Sequence, residues 1–321
     1  MDDRDNDICW RVFNLNWIPV AAMGGVLLFA VALTRFSIEP LAFGIMMAIG
    51  VALAAVTYLH VHVRSDQVDS KLVFMLGTVA QVIMVTAIVG PLSYVVAALD
   101  WPLQDHALTA IDHAMGFDAR TVILFVNDHP TLAGALGFGY GMIKWPLLAI
   151  PIVLAATRRF ARLQQFVTAL TLALMVTIVI SIFVPAIGNY QLLGLTPADV
   201  PNVNVTAFLL GQQDIPAVRD GSLRHLELLK LAGIVTFPSF HTASAVLYAW
   251  AFAPVRFFGP VALVTNTLMI ASTPVIGGHY LIDVVAGTAL AIGAIAAAQW
   301  LFTRAARGAS LRPHALGAPA Q

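Results

Sequence analysis

Long apolar runs, separated by short polar clusters, set the pattern of this chain. Eight of them approach the roughly 20 residues that a helix needs to cross a hydrocarbon core of about 30 Å: 17–35, 40–60, 72–97, 134–157, 164–186, 240–257, 260–278 and 280–302. Helix is the implied conformation, because in lipid every peptide group must be bonded within its own segment. The runs are too long and too evenly apolar for the alternation of a membrane β-barrel. The expected fold class is therefore all-α, a polytopic membrane helix bundle with about eight transmembrane helices.

Two polar connections are long, 98–133 and 187–239. The first mixes apolar residues with Asp100, Asp105, Asp112, Asp118 and Asp128, a pattern that suits helices lying along an interface. The second carries Pro197, Pro201, Gly211 and Pro216, then a charged patch from Arg219 to Lys230. Long ordered connections of this kind usually carry function.

Composition agrees with the pattern: 59% of residues are hydrophobic and 11% charged, with mean hydropathy +0.84. Soluble domains carry about 25% charged residues. A formal net charge of zero gives no sign of a nucleic-acid partner. A single cysteine, Cys9, excludes an internal disulfide. The first residues are acidic and lack a basic leader, so the first run is expected to be a retained span. Lys and Arg are distributed eleven to five between the two sets of loops that eight spans create, with Arg64, Arg158, Arg159, Arg162, Arg304 and Arg312 on the richer side. The positive-inside bias then puts both termini in the cytoplasm. It puts the two long connections on the non-cytoplasmic face.

Candidate chemistry gathers on that face. Phe237-Pro238-Ser239-Phe240-His241-Thr242 opens the sixth run, and Gly277-Gly278-His279-Tyr280-Leu281-Ile282-Asp283 lies between the seventh and eighth. Pro238 and Ser239 read as a helix start, whose unpaired N–H groups and positive dipole end favour an anion. His279 and Asp283, four apart, share a helical face, so the carboxylate can accept the ring Nδ1–H. That leaves Nε2 as a nucleophile and stabilises the cation formed on attack. Either histidine alone could be a plain interfacial polar residue; the Asp283–His279 pair beside a second histidine at a helix start, all on one face, points to catalysis.

These residues resemble the type-2 phosphatidic acid phosphatase superfamily, whose motifs are Pro-Ser-x-His and Ser-Arg-x5-His-x3-Asp. Pro238-Ser239-Phe240-His241 matches the first, and Ser272, His279 and Asp283 match the second, with Thr273 in the Arg position. The wording is most similar to the branch that includes inositol-phosphorylceramide synthases. The resemblance covers about 72–302 and implies a six-helix catalytic core there, carrying the loops 98–133 and 187–239. It makes 1–71 an N-terminal tail with two accessory transmembrane helices, and 303–321 is expected to be a disordered cytoplasmic tail. It also implies phosphoryl transfer without metal or other cofactor: His279 as nucleophile, Asp283 as its orienter, His241 as acid and base. The expected activity is a lipid-phosphate phosphatase or phosphotransferase, or a transferase of an inositol-phosphate head group. The expected partners are a lipid phosphate substrate and membrane lipids.

The family's Lys-x6-Arg-Pro motif is absent, so the phosphate-binding cations must be sought elsewhere. Arg219, Arg224 and Lys230 precede His241 in the chain, and Lys144 sits within the fourth run, where it should face a cavity or a partner. Ser239 and Ser272 complete the candidate substrate-binding set. Gln81 and Asn266 read as hydrogen-bonders between helices. The pairs Asp105-His106 and Asp112-His113 recur at seven residues and would line one helical face, a polar face rather than a metal site. A proton-relay transporter would spread ionisable groups through the bilayer. A haem protein would leave Asp283 without a role.

Overall fold

The computed structural model describes residues 3–63 and 68–310, so Arg64 and the chain beyond Ser310, including Arg312, lie outside the described residues. Its helices are α1 (Asp3–Leu15), α2 (Trp17–Leu33), α3 (Pro40–Val63), α4 (Ser70–Ala97), α5 (Asp105–Ala114), α6 (Ala119–Asn127) and α7 (Pro130–Gly141). They continue with α8 (Trp145–Ala156), α9 (Phe160–Phe183), α10 (Tyr190–Leu193), α11 (Thr206–Asp220), α12 (Phe240–Phe252), α13 (Phe258–Ile276) and α14 (Leu281–Ser310). The described chain is an all-α bundle with one two-residue parallel pairing, β1 (Ser37–Ile38) with β2 (His225–Leu226).

Six helical stretches are long and apolar enough to cross a membrane, and a seventh is formed if the bent pair α7–α8 counts as one span. The fourth run is thus not a straight helix over 134–157. It begins at Pro130 and bends by 59° between Gly141 and Trp145. Pro146 in the first turn of α8 has no N–H to continue the ladder. Tyr248 Oη from α12 donates to the Ile143 carbonyl at the break, 2.9 Å away.

The run 240–257 is the clearest departure from expectation. Its helix α12 has 13 residues, about 20 Å at 1.5 Å per residue, too short for a hydrocarbon core. Ser239 caps its start, accepting from Thr242 N at 3.3 Å. Pro254 follows the C-cap Ala253, whose N–H still reaches Ala249 O, and has no N–H with which to extend the ladder. α12 is an inner helix, packed against α9, α13 and α14 with Ala243, Ser244, Ala245, Leu247 and Tyr248 buried.

The N-terminus is not a tail. α1 is amphipathic, burying Ile8, Cys9, Val12 and Phe13 against α4, α9 and α14. Gln81 Nε2 crosses to the Phe13 carbonyl at 2.8 Å, the interhelical bond expected of it. Asn266 does otherwise: its amide donates to Ala262 O on its own helix at 2.7 Å. α3 packs on α4 with most of its surface outward, whereas β1 and Phe36 hold the N-terminal unit onto the loop before α12. At the other end, α14 remains helical to Ser310, beyond the point where a disordered tail was expected.

The starts of α12 and α14 meet. Ser239 N donates to the Asp283 carbonyl at 3.1 Å, and a Cβ on Gly287 would lie 2.3 Å from the Ser239 carbonyl oxygen. Gly287→Ala should gain about 1 kcal/mol of helix propensity yet force backbone apart in a packed region, for a net loss of about 1–3 kcal/mol. A lower thermal midpoint in detergent is the expected result; a midpoint at or above wild type would contradict so close an approach.

Candidate active site

The site is built on a break in the bundle. α13 ends at Ile276, and the chain turns through Gly277, Gly278 and His279 before α14 begins. Gly278 has φ +68, with Phe208 and Tyr190 packed where a side chain would stand, so only glycine fits. The break is buried, and its peptide groups need partners. Asn189 supplies them: its Nδ2 donates to the carbonyls of Pro274 (2.9 Å) and His279 (2.8 Å), and its own N–H donates to Gly278 O at 2.7 Å. Tyr190 Oη adds a bond to Val275 O at 2.8 Å.

Two carboxylates from α5 grip the same region. Asp105 accepts from Ile187 N (3.0 Å), Gly188 N (2.9 Å) and Tyr280 Oη (2.9 Å). Asp112 accepts from Leu281 N (2.8 Å) and Ile282 N (3.0 Å), the first orphan donors of α14. Burial pushes the Asp112 carboxyl above its ordinary range, and these two N–H groups pull it back. The seven-residue recurrence did place both acids on one face, but that face is buried and carries the rim of the site. His106 and His113 are exposed. No group of three potential metal ligands occurs among the described residues.

His279 is buried, and its Nδ1 lies 2.9 Å from the Thr236 carbonyl and 3.2 Å from Asp283 Oδ2. A carbonyl oxygen can only accept, so Nδ1 carries the proton and Nε2 keeps its lone pair. Asp283 Oδ2 also accepts from Tyr280 N at 2.9 Å, the return arm of a capping box. Asp283 Oδ1 is buried without a partner. His241, half-buried in the first turn of α12, lies with its ring centroid 6.2 Å from that of His279. Tyr140 from α7 stacks on it at 4.0 Å and 12°, holding the ring flat. Among the described residues no acceptor meets the N–H groups of Phe240 and His241.

A cleft opens onto His279, lined by Tyr140, Ile187, Phe208, Gly233, Thr236 and Gly277 among others, with no Lys or Arg in its wall. The four cations expected to hold phosphate are placed elsewhere. Arg219 pairs with Asp100 at 3.4 Å and donates to Trp101 O at 2.9 Å. Arg224 donates to Val218 O and lies over the Phe36 ring. Lys230 pairs with Glu227 at 2.8 Å, exposed. Lys144 is exposed at the α7–α8 bend and does not line the cleft onto His279. Proximity in sequence to His241 did not carry them to it, because α11 and β2 hold that loop against α4 and the N-terminal unit. Ser239 is a buried helix cap, and Ser272 Oγ bonds back to Met269 O at 2.7 Å. Thr273, in the family's Arg position, is buried between α12 and α13, 3.4 Å from the Thr242 hydroxyl.

Sequence reasoning missed Thr236, Asn189 and Tyr140. Thr236 acts through a backbone carbonyl, which leaves no mark on residue identity. Asn189, beside Gly188 in a long ordered connection, was the one with a visible signal.

A family model described as the PAP2 superfamily matches residues 106–297, the stretch from α5 through most of α14. No curated protein and no solved structure matches the chain. The matched region contains every residue of the His241, His279 and Asp283 cluster, and the chain belongs to the PAP2 superfamily.

Proposed function

We propose that this chain is a multi-pass membrane lipid-phosphate phosphatase or phosphotransferase working through a phosphohistidine on His279. The observation that carries this reading is the Nδ1–H of His279, bonded to the Thr236 carbonyl and Asp283. It frees Nε2, and the second histidine stands 6.2 Å away. A nucleophile works at about 3–3.5 Å from its target and a general acid at about 2.6–3.2 Å from the leaving oxygen. Two rings this far apart can flank one phosphorus. Nε2 attacks, the P–O bond to the lipid breaks, and protonated His241 gives its proton to the departing alkoxide. His241 then takes a proton from water or another hydroxyl, which attacks phosphorus and releases His279. Asp283 and the Thr236 carbonyl stabilise the imidazolium meanwhile. The N–H groups of Phe240 and His241, at the positive end of α12, are the donors available to the phosphoryl oxygens. The basic residues at the far end of the bundle favour opening of the site to the non-cytoplasmic leaflet, with both termini on the other side, since Asn6 and Phe302 line clefts beside Arg158 and Arg159 there.

The cleft wall without Lys or Arg favours one refinement. A phosphomonoester brings about two negative charges and a phosphodiester one, so a neutral cradle suits the diester better. That fits a head-group transferase of the kind the inositol-phosphorylceramide-synthase-like motifs suggest.

His279→Ala and Asp283→Ala should abolish phosphate release from lipid phosphates, and His241→Ala should slow it by about 10²–10⁴-fold. The His241→Ala loss should shrink for substrates with acidic leaving groups; three variants at wild-type turnover would exclude the site. Arg224→Gln and Lys230→Gln should leave turnover within about twofold, since Arg224 lies over Phe36, Lys230 pairs with Glu227 and neither lines the cleft. Mass spectrometry of products from a panel of mono- and diester lipids, with and without inositol, separates hydrolysis from transfer. Transfer from diesters is the expected outcome, and hydrolysis of monoesters alone would reject the refinement. Turnover should persist in EDTA; loss that divalent metal restores would overturn the metal-free mechanism.

A further inference from the structure

The end of the bundle away from His279 carries an unbalanced basic cluster. α9 starts there and runs 24 residues, about 36 Å, before reaching the 184–190 segment beside the site. Arg158 and Arg159 form the α8–α9 turn, and Arg162 lies in the first turn of α9. Arg158 holds φ +56, a left-handed conformation uncommon for a side chain of this kind. None of the three meets a carboxylate among the described residues. Arg162 lies over the Trp250 ring, 4.1 Å from its centroid, and its Nη1 is buried with no acceptor among the described residues.

Two clefts converge on this cluster. One is lined by Asn6, Ser70, Lys71, Arg158 and Phe160, the other by Cys9, Arg159, Arg162 and Phe302 among others. Asp69 is the carboxylate in the first, and it is occupied in capping α4 through Lys71 N at 2.9 Å. The second has none. A basic residue scattered at a membrane border needs only topology to explain it. Three arginines on one turn, lining two clefts and with one donor left without an acceptor above an aromatic ring, offer guanidinium forks to an anion.

We propose that this cluster is a phosphate-binding site, separate from the catalytic histidines, and that it receives the head group of an anionic lipid at the opposite membrane face. The apolar walls from Phe160 and Phe302 suit the acyl-chain side of such a lipid, and the arginines its phosphate. A soluble phosphate would use the same donors.

The test uses the full chain, in nanodiscs of phosphatidylcholine with or without phosphatidylglycerol, and in detergent with inorganic phosphate. Thermal midpoint reads binding, since a ligand of the folded state raises it. Arg159→Gln alters an exposed side chain and leaves packing intact; Arg162→Gln is compared with it, and Arg304→Gln serves as a control for surface charge on the same end. The expected result is stabilisation by phosphatidylglycerol whose apparent affinity falls about tenfold, about 1.4 kcal/mol, in Arg159→Gln and Arg162→Gln and stays unchanged in Arg304→Gln. Equal stabilisation by inorganic phosphate alone, with the same variant losses, would assign the site to a soluble phosphate. No stabilisation by either probe, or losses no greater in the two variants than in Arg304→Gln, would overturn the site.

Discussion

A helix break buried inside a bundle exposes peptide groups that water cannot reach, and each must be bonded by the protein. The break between α13 and α14 is bonded from three sides, by Asn189, by the α5 carboxylate Asp112, and by Ser239 N on the Asp283 carbonyl. His279 sits in the middle of that arrangement. Its ring is oriented because the backbone around it has no freedom left, and the geometry of the candidate site follows from peptide satisfaction as much as from the His241, His279 and Asp283 cluster itself.

The same economy explains why α5 lies where it does. An acidic face on a short helix at an interface would be soluble by itself. Turned inward, it supplies five acceptor contacts to the 187–188 segment, Tyr280 and the first turn of α14. Asp112 also places negative charge at the positive end of α14, where the dipole favours it. The two long connections are therefore structural parts of the site and not a covering laid over it.

Charge is divided between the two ends of the molecule in an unexpected way. The cleft onto His279 has no Lys or Arg in its wall, while at the opposite end Arg158, Arg159 and Arg162 meet no carboxylate among the described residues. Cations that lie close to His241 along the chain are consumed in tying α11, β2 and the N-terminal unit together. On the proposed function, phosphate recognition at the histidines would rest on helix-end donors, which are weaker per contact than guanidinium forks but carry no counterion of their own.

Hydropathy alone determined the all-α membrane class and the approximate positions of the eight apolar runs, because a 20-residue apolar run in lipid has only one way to satisfy its backbone; it did not mark α1, α10 or α11. The four-residue spacing of His279 and Asp283, and the Pro-Ser start before His241, likewise sufficed to pair the acid with its ring and to locate the cap. Tertiary structure decided the rest. Whether α12 spans, whether the fourth run bends, and which side chains reach the cleft depend on contacts between segments far apart in sequence. Thr236 contributes a carbonyl, Tyr140 a ring face from another helix, and Arg224 leaves the site because Phe36 offers its guanidinium a surface. None of these roles alters local pattern, since backbone acceptors and packing partners are chosen by three-dimensional proximity and not by residue order.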